Sequence, residues 1–289
     1  MAARARSAVF VVVVGLVPLV IGGPAFALLM AFLGIMAWRE YARIAQRLAP
    51  VAGITAGGAI IAGFGAAGLF GWPLPIVAAI AFLGVMLPLI GQFGRIDERD
   101  ALLAWGLGAA GTLYLGLPVL AATSLRQLAG PSAPWAADVA GRVSLGWPPA
   151  AYGFGWALAV VLCTWLADTG AYLVGRAAGR RKLSPRISPN KTIEGAVGGL
   201  AGAALAGALC WSTFGLPGGW LAGAGVGIVL GMVGQAGDLA ESFVKRQAGV
   251  KDSGTMIPGH GGVFDRVDAL FVSFPAAWAL AALFDMAVP

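Results

Sequence analysis

Long apolar runs, broken at short intervals by Gly, Pro and arginine-bearing stretches, fill this chain almost from end to end. A helix that crosses a bilayer needs roughly 17–25 mainly apolar residues. The first run, Ser7 to Trp38, is too long for one span, and Gly22-Gly23-Pro24 divides it into a hairpin of two short helices. Arg4 and Arg6 ahead of an apolar core, with Ala25-Phe26-Ala27 resembling a cleavage site, would also fit a signal peptide. The sequence beyond continues as membrane helix, which favours the hairpin. Further spans are expected at Val51–Phe70, Leu74–Phe93, Ala101–Thr123, Tyr152–Ala167, Ile193–Phe214, Trp220–Gln235 and Ala269–Met286, about nine in all. Residues 1–150 then hold about five spans and a loop, and residues 151–289 about four spans joined by polar loops.

Composition supports that pattern. Of 289 residues 59% are hydrophobic and 11% charged, where a soluble domain carries about 25% charged residues. So little charge cannot cover a water-facing surface, which excludes a soluble globular enzyme, a disordered chain and a disulfide scaffold. The fold class expected is an all-α integral membrane protein. Cys163 and Cys210 both lie in apolar stretches and read as core or lipid-facing residues. The net charge of +6 comes from arginines scattered over loops, with no Lys/Arg run longer than three, and implies no nucleic-acid partner. Those loop charges set the orientation. With the N-terminus inside, Arg39, Arg43 and Arg47, then Arg95 and Arg99, then Arg176, Arg180, Arg181, Lys182 and Arg186 all face the cytoplasm. The opposite side receives the near-neutral segments around Trp72 and Pro217 and the Ser124–Pro149 loop, with Arg126 and Arg142. Glycine, 45 residues, is about twice its usual share. In lipid, small residues let helix backbones approach, and Gly195/Gly199 and Gly198/Gly202 have that spacing. Gly106-Leu-Gly-Ala-Ala-Gly111 matches a dinucleotide fingerprint only in form, because it lies inside a helical span with no strand before it; it reads as packing.

The distribution of charge says more than its amount. Between Asp168 and Asp268 lie seventeen of the thirty-two charged residues, including all four lysines. They form three clusters, each at the cytoplasmic end of a span. Asp168-Thr-Gly-Ala-Tyr172 places a carboxylate at the membrane edge, where it needs a polar cavity, a cation or a metal unless it merely meets headgroups and water. In the basic loop that follows, Ser188-Pro-Asn-Lys191-Thr192 sets a lysine and hydroxyls at a helix start, which suits phosphate. The alternative is an ordinary cap, with Glu194 as its acid and Lys191 solvated. In the third cluster Gln235, Asp238, Glu241, Ser242 and Lys245 recur at three- and four-residue steps on one helix face. Arg246, Lys251 and Asp252 follow, then a Pro258-Gly-His260-Gly261-Gly262 turn, then Asp265-Arg266-Val-Asp268 with both acids on one face. Carboxylates facing Lys, Arg and glycine N–H groups suit Mg²⁺ with polyphosphate, since Mg²⁺ takes one or two carboxylates and lets phosphates complete its shell. The lone His260 reads as a phosphate-side donor rather than a zinc ligand.

At these residues the sequence resembles the bacterial phosphatidate cytidylyltransferases, or CDP-diacylglycerol synthases. Ser242 to Asp268 fits their signature throughout, supported by Gln235-Ala-Gly-Asp-Leu-Ala-Glu241, Ile187-Ser-Pro-Asn-Lys-Thr-Ile-Glu-Gly195 and Asp168-Thr-Gly-Ala-Tyr172. Asn190, where Lys or Gly is commoner, and Phe264, where Leu or Ile is usual, depart from it. The resemblance implies transfer of the cytidylyl group of CTP to phosphatidic acid, a need for Mg²⁺ (with a second cation such as K⁺ as a further candidate) and a homodimer in the inner membrane. It marks Asp238, Asp265 and Asp268 as metal-site carboxylates. Asp265, Asp268, Lys245, Lys251 and His260 become the catalytic candidates, and Ser242, Arg246, Lys191, Thr192, Asp168, Gly261, Gly262 and Arg266 the substrate-binding ones. The rival from another class is a polytopic secondary transporter with cytoplasmic-side acids. It predicts polar residues near the middle of spans, whereas here they gather at the ends.

Overall fold

The computed structural model describes residues 14–148, 150–254 and 261–287. A helix over 14–21 (α1) stops at Gly22, and α2 (Gly23–Ala45) follows at once. Gly22 and Gly23 have φ of 74° and 49°, which a residue with a Cβ rarely adopts, so the helix breaks where the sequence places the break. Next come α3 (Ile54–Phe70), α4 (Leu74–Ile90), a 3₁₀ turn (Phe93–Arg95), α5 (Ala101–Arg126), α6 (Pro134–Val143) and α7 (Ala151–Ala178). A hairpin of β1 (Lys182–Ser184) and β2 (Ser188–Thr192) leads into α8 (Ile193–Phe214), α9 (Gly219–Gln247) and α10 (Phe264–Ala287). Among the described residues seven helices are long and apolar enough to cross a membrane: α2, α4 with the turn after it, α5, α7, α8, α9 and α10. Helix α3 is apolar but shorter, at 17 residues. The expected span from Ser7 lies partly outside the described residues. The protein is an all-α integral membrane protein whose only described strands are the two short ones of that hairpin.

Three helices outlast the apolar stretches that announced them. Helix α7 continues through Asp168 to Ala178, α9 passes Gln235 to reach Gln247, and α10 starts five residues before Ala269. At 1.5 Å per residue the 28 residues of α7 span about 42 Å, more than a hydrocarbon core of about 30 Å. Hydropathy marks where a helix leaves the lipid; the hydrogen-bond ladder runs on while one face remains apolar.

The chain packs as two compact units. One draws on Met1–Pro18, Pro24–Ser124 and Val244–Val267, the other on Leu19–Gly23, Leu125–Phe243 and Asp268–Pro289.

In the first unit an aromatic cluster forms the core. Trp38 stacks on Tyr41 with ring centroids 5.9 Å apart, and Tyr41 and Tyr114 meet the Phe264 ring edge-on at 6.1 and 6.2 Å. Trp38 Nε1 donates to the Ile54 carbonyl and the Tyr41 hydroxyl to that of Leu107, so the polar ends of both rings are satisfied. A Cβ at Gly111 would collide with Tyr41 and one at Gly108 would press on Pro88, so these two glycines pack as expected, whereas one at Gly106 would meet nothing within 4 Å. In the turn after α4, Arg95 pairs with Glu98 and Asp100, and its hydrogen bond holds the Glu98 carboxyl below the usual carboxylate range.

In the second unit, glycines bring α7, α8 and α9 backbone to backbone. A Cβ on Gly198 would strike Val174, one on Gly202 the Leu166 carbonyl, and one on Gly207 the Gly223 carbonyl. Arg126 differs from its expectation as a loop charge. It is 4% exposed at the end of α5 and donates to the carbonyls of Leu19, Val20 and Ala150 at 2.9–3.1 Å. Two of those carbonyls end α1, where no further helical turn exists to satisfy them.

Candidate functional site

Lys245 occupies the last turn of α9 and Asp265 the first turn of α10. Both are nearly buried, with side chains 11% and 8% exposed, and Lys245 Nζ donates to Asp265 Oδ1 at 2.7 Å. An acid at a helix N-terminus is favoured by the unsatisfied N–H groups and the positive end of the helix dipole. Asp265 collects more than that. Ser253 N donates to its Oδ1 and Oδ2 at 3.2 and 2.9 Å, and Gly262 N to Oδ2 at 2.9 Å. Gly261 has φ of 81°, and a Cβ there would press on Asp265 Oδ2. The glycines after His260 thus let the backbone wrap the carboxylate. The expectation for Gly262 was a phosphate-facing N–H; here that N–H donates to Asp265.

The same unit contains an acid that the sequence did not single out. Glu40, on α2, is 1% exposed, and its Oε2 accepts from Ser253 Oγ and Phe264 N, both at 2.9 Å. Its neighbours Arg39 and Arg43 point outward, so along the chain it looks like one more charge at a span end. The signal that could have found it is helical phase: Glu40 shares a face with Ala37, Tyr41 and Ile44, all buried.

In the second unit Lys191 Nζ donates to Asp238 Oδ2 at 2.5 Å, with both side chains about a third exposed or less. Thr192 is the N-cap of α8, its Oγ1 accepting from Gly195 N at 3.1 Å. Glu194 does not complete a capping box; it accepts from the backbone N–H groups of Arg180 and Arg181 and closes the base of the β-hairpin. Lys191, on β2, is therefore engaged with an acid of α9 rather than solvated. Gln235 Nε2 donates to the Ala196 carbonyl at 3.1 Å.

Of the remaining expected residues, Asp168, Lys251 and Arg266 are exposed, and Ser242 is half-buried. Arg246 is exposed and donates to the Val250 carbonyl; Asp268 Oδ1 accepts from Ala269 N. His260 lies outside the described residues. Chemically, two acids are each balanced by a lysine. Among the described residues no three His, Cys, Asp or Glu side chains gather closely enough to form a metal cage. A single carboxylate such as Asp265 still fits Mg²⁺, which is bound through oxygen, by one or two carboxylates with substrate phosphates and waters, rather than by an all-protein cage.

The chain matches the model of a cytidylyltransferase family over residues 2–284. It is 39% identical over 227 residues to the phosphatidate cytidylyltransferase of Brucella suis, covering 75% of this chain and 74% of that one. It is 41% identical over 134 residues to the phosphatidate cytidylyltransferase of Bacillus subtilis, covering 46% and 50% of the two chains. With that of Synechocystis the identity is 47% over 116 residues, covering 40% and 39%.

Proposed function

Since the chain belongs to the cytidylyltransferase family, we propose that the buried Lys245–Asp265 pair is where it handles the phosphates of its substrates. The enzyme transfers the cytidylyl group of CTP to phosphatidate, giving CDP-diacylglycerol and pyrophosphate. A phosphatidate oxygen attacks the α-phosphorus of CTP in line; a P–O bond forms there, and the bond to the β-phosphate breaks with its electron pair leaving on pyrophosphate. The nucleophile is already an anion, so no proton need be removed. Positioning and charge neutralisation carry most of the catalysis in such a transfer.

The observation that carries the reading is Asp265 itself: a carboxylate held in a nearly buried position by an ammonium and two backbone N–H groups. Asp265 would hold Mg²⁺, and the bound ion would neutralise phosphate charge; the family resemblance adds Asp238 and Asp268 as further metal-site candidates. A second cation such as K⁺ is compatible with the same oxygen donors. Lys245, Lys251, Arg246 and His260 supply cationic and hydrogen-bonding partners for phosphate. The family resemblance adds Lys191, Thr192, Ser242, Asp168, Arg266 and Gly261 as substrate-binding candidates, while the Gly262 N–H is taken by Asp265. The acyl tails of the lipid remain in the bilayer while CTP arrives from the cytosol. The excess of arginine in the loops around α2, α4 and α7 supports a cytoplasmic site and N-terminus in a bacterial inner membrane. The resemblance implies a homodimer, and the scatter of the arginines over loops implies no nucleic-acid partner.

Purified protein given labelled CTP tests the reading, with and without phosphatidate and with a chelator. Incorporation into lipid should require both substrates and stop on chelation. Asp265→Asn should lower pyrophosphate release by ~100-fold or more while the protein remains inserted and folded. Normal activity of that variant at saturating Mg²⁺ would overturn the assignment.

A further inference from the structure

Glu40 is an expensive residue for a membrane helix to keep. A buried carboxylate is tolerated when hydrogen bonds replace its lost hydration, and the described partners of Glu40, Ser253 and Phe264, belong to the segment around Asp265. Phe264 N, which Glu40 accepts, is an N–H at the start of α10 that the helix's own ladder leaves unsatisfied. Glu40 therefore caps α10 from another helix, one residue before the site acid. Ser253, its other partner, bridges the two carboxylates: its hydroxyl donates to Glu40 and its N–H to Asp265. Gly262 is also shared. Its N–H donates to Asp265, while a Cβ on it would collide with Glu40 Oε2. On the other side, a Cβ on Gly254 would stand 2.7 Å from Glu40 Oε1. Both described ends of the 253–264 segment are thus pressed onto one side chain, and a Cβ on either Gly254 or Gly262 would run into it.

We infer that Glu40 is a positioning residue for the transfer: it fixes Ser253, Gly262 and the first turn of α10 so that Asp265 is held at the geometry the reaction needs. The inference rests on the reading of Asp265 as a site residue. Without Glu40 the Ser253 hydroxyl and the Phe264 N–H lose their acceptor, and the N–H groups that fix Asp265 are released to shift. Gln at this position keeps the length and offers an amide oxygen to the same two donors; Ala offers nothing.

The test measures kcat, KM for CTP and the Mg²⁺ concentration for half activity, each per folded molecule, in detergent-purified wild type, Glu40→Ala, Glu40→Gln, Ser253→Ala, the Glu40→Ala/Ser253→Ala double variant and Asp265→Asn. A misplacement near 1 Å costs about 100-fold in rate, so Glu40→Ala should lose kcat on that scale, with a raised Mg²⁺ requirement and little change in KM. Glu40→Gln should restore most of it. Ser253→Ala should lower kcat less, and the double variant should lose little beyond Glu40→Ala, because both act through one connection. A merely structural role would lower the folded yield and leave kcat and the Mg²⁺ requirement alone. Wild-type kcat in Glu40→Ala beside an inactive Asp265→Asn overturns the role of Glu40. If Glu40→Ala does not fold, unchanged kcat in both Glu40→Gln and Ser253→Ala overturns it. Full activity of Asp265→Asn overturns the reading of Asp265 and this inference with it.

Discussion

Lys245 and Lys251 are both lysines of the signature stretch, yet their surroundings assign them different consequences. Lys245 is nearly buried against Asp265, whereas Lys251 is exposed in the segment after α9. Removing one partner of a buried ion pair leaves an uncompensated charge and costs about 3–5 kcal/mol. Lys245→Met should therefore lower the thermal midpoint in detergent as well as activity. Adding Asp265→Asn to it should recover stability without recovering activity. Lys251→Ala should weaken CTP use and leave the midpoint unchanged; identical kinetics to wild type would remove Lys251 from the site. The polar residues of this stretch were legible because charge stands out against an apolar background. Glu40 was hidden among Arg39 and Arg43, since a span end is where charge is expected.

The helices depend on a few positions where backbone meets backbone or a terminus is closed. Gly198 lies against Val174 and the Gly170 carbonyl, so a larger side chain must push α7 and α8 apart. Overpacking of this kind costs about 1–3 kcal/mol. Gly198→Leu should lower the thermal midpoint measured in detergent, and Gly225→Leu, where a Cβ meets nothing within 4 Å, should not. Arg126 is the second such position. Arg126→Met leaves buried carbonyls without a donor, at about 1–3 kcal/mol for each group that water cannot reach. The expected outcome is reduced thermal stability with unchanged kcat per folded molecule. The glycine spacing marked a close-packing face of α8 in advance, though not that α7 would lie against it. The role of Arg126 was not, because nothing local links it to Leu19 and Val20, more than a hundred residues earlier in the chain.

For the molecule as a whole the informative measurement is sidedness. In sealed inside-out vesicles a membrane-impermeant thiol reagent should label Arg186→Cys, in the β-hairpin loop, and miss Gly146→Cys, in the segment between α6 and α7. Labelling of the two in the reverse orientation would place the site on the wrong face for CTP. The membrane class, the α1–α2 break and the places of the charged clusters along the chain were determined by sequence alone, because each depends on local properties: apolar length, a backbone only glycine tolerates, and residue types at helical spacing. Tertiary structure decided which charges meet. It paired Lys245 with Asp265 and Lys191 with Asp238, turned Glu194 to the hairpin, and brought Glu40 to Ser253 across more than two hundred residues. Such pairings are set by how helices pack, and a hydrophobic pattern fixes that a helix face is buried without fixing what it is buried against.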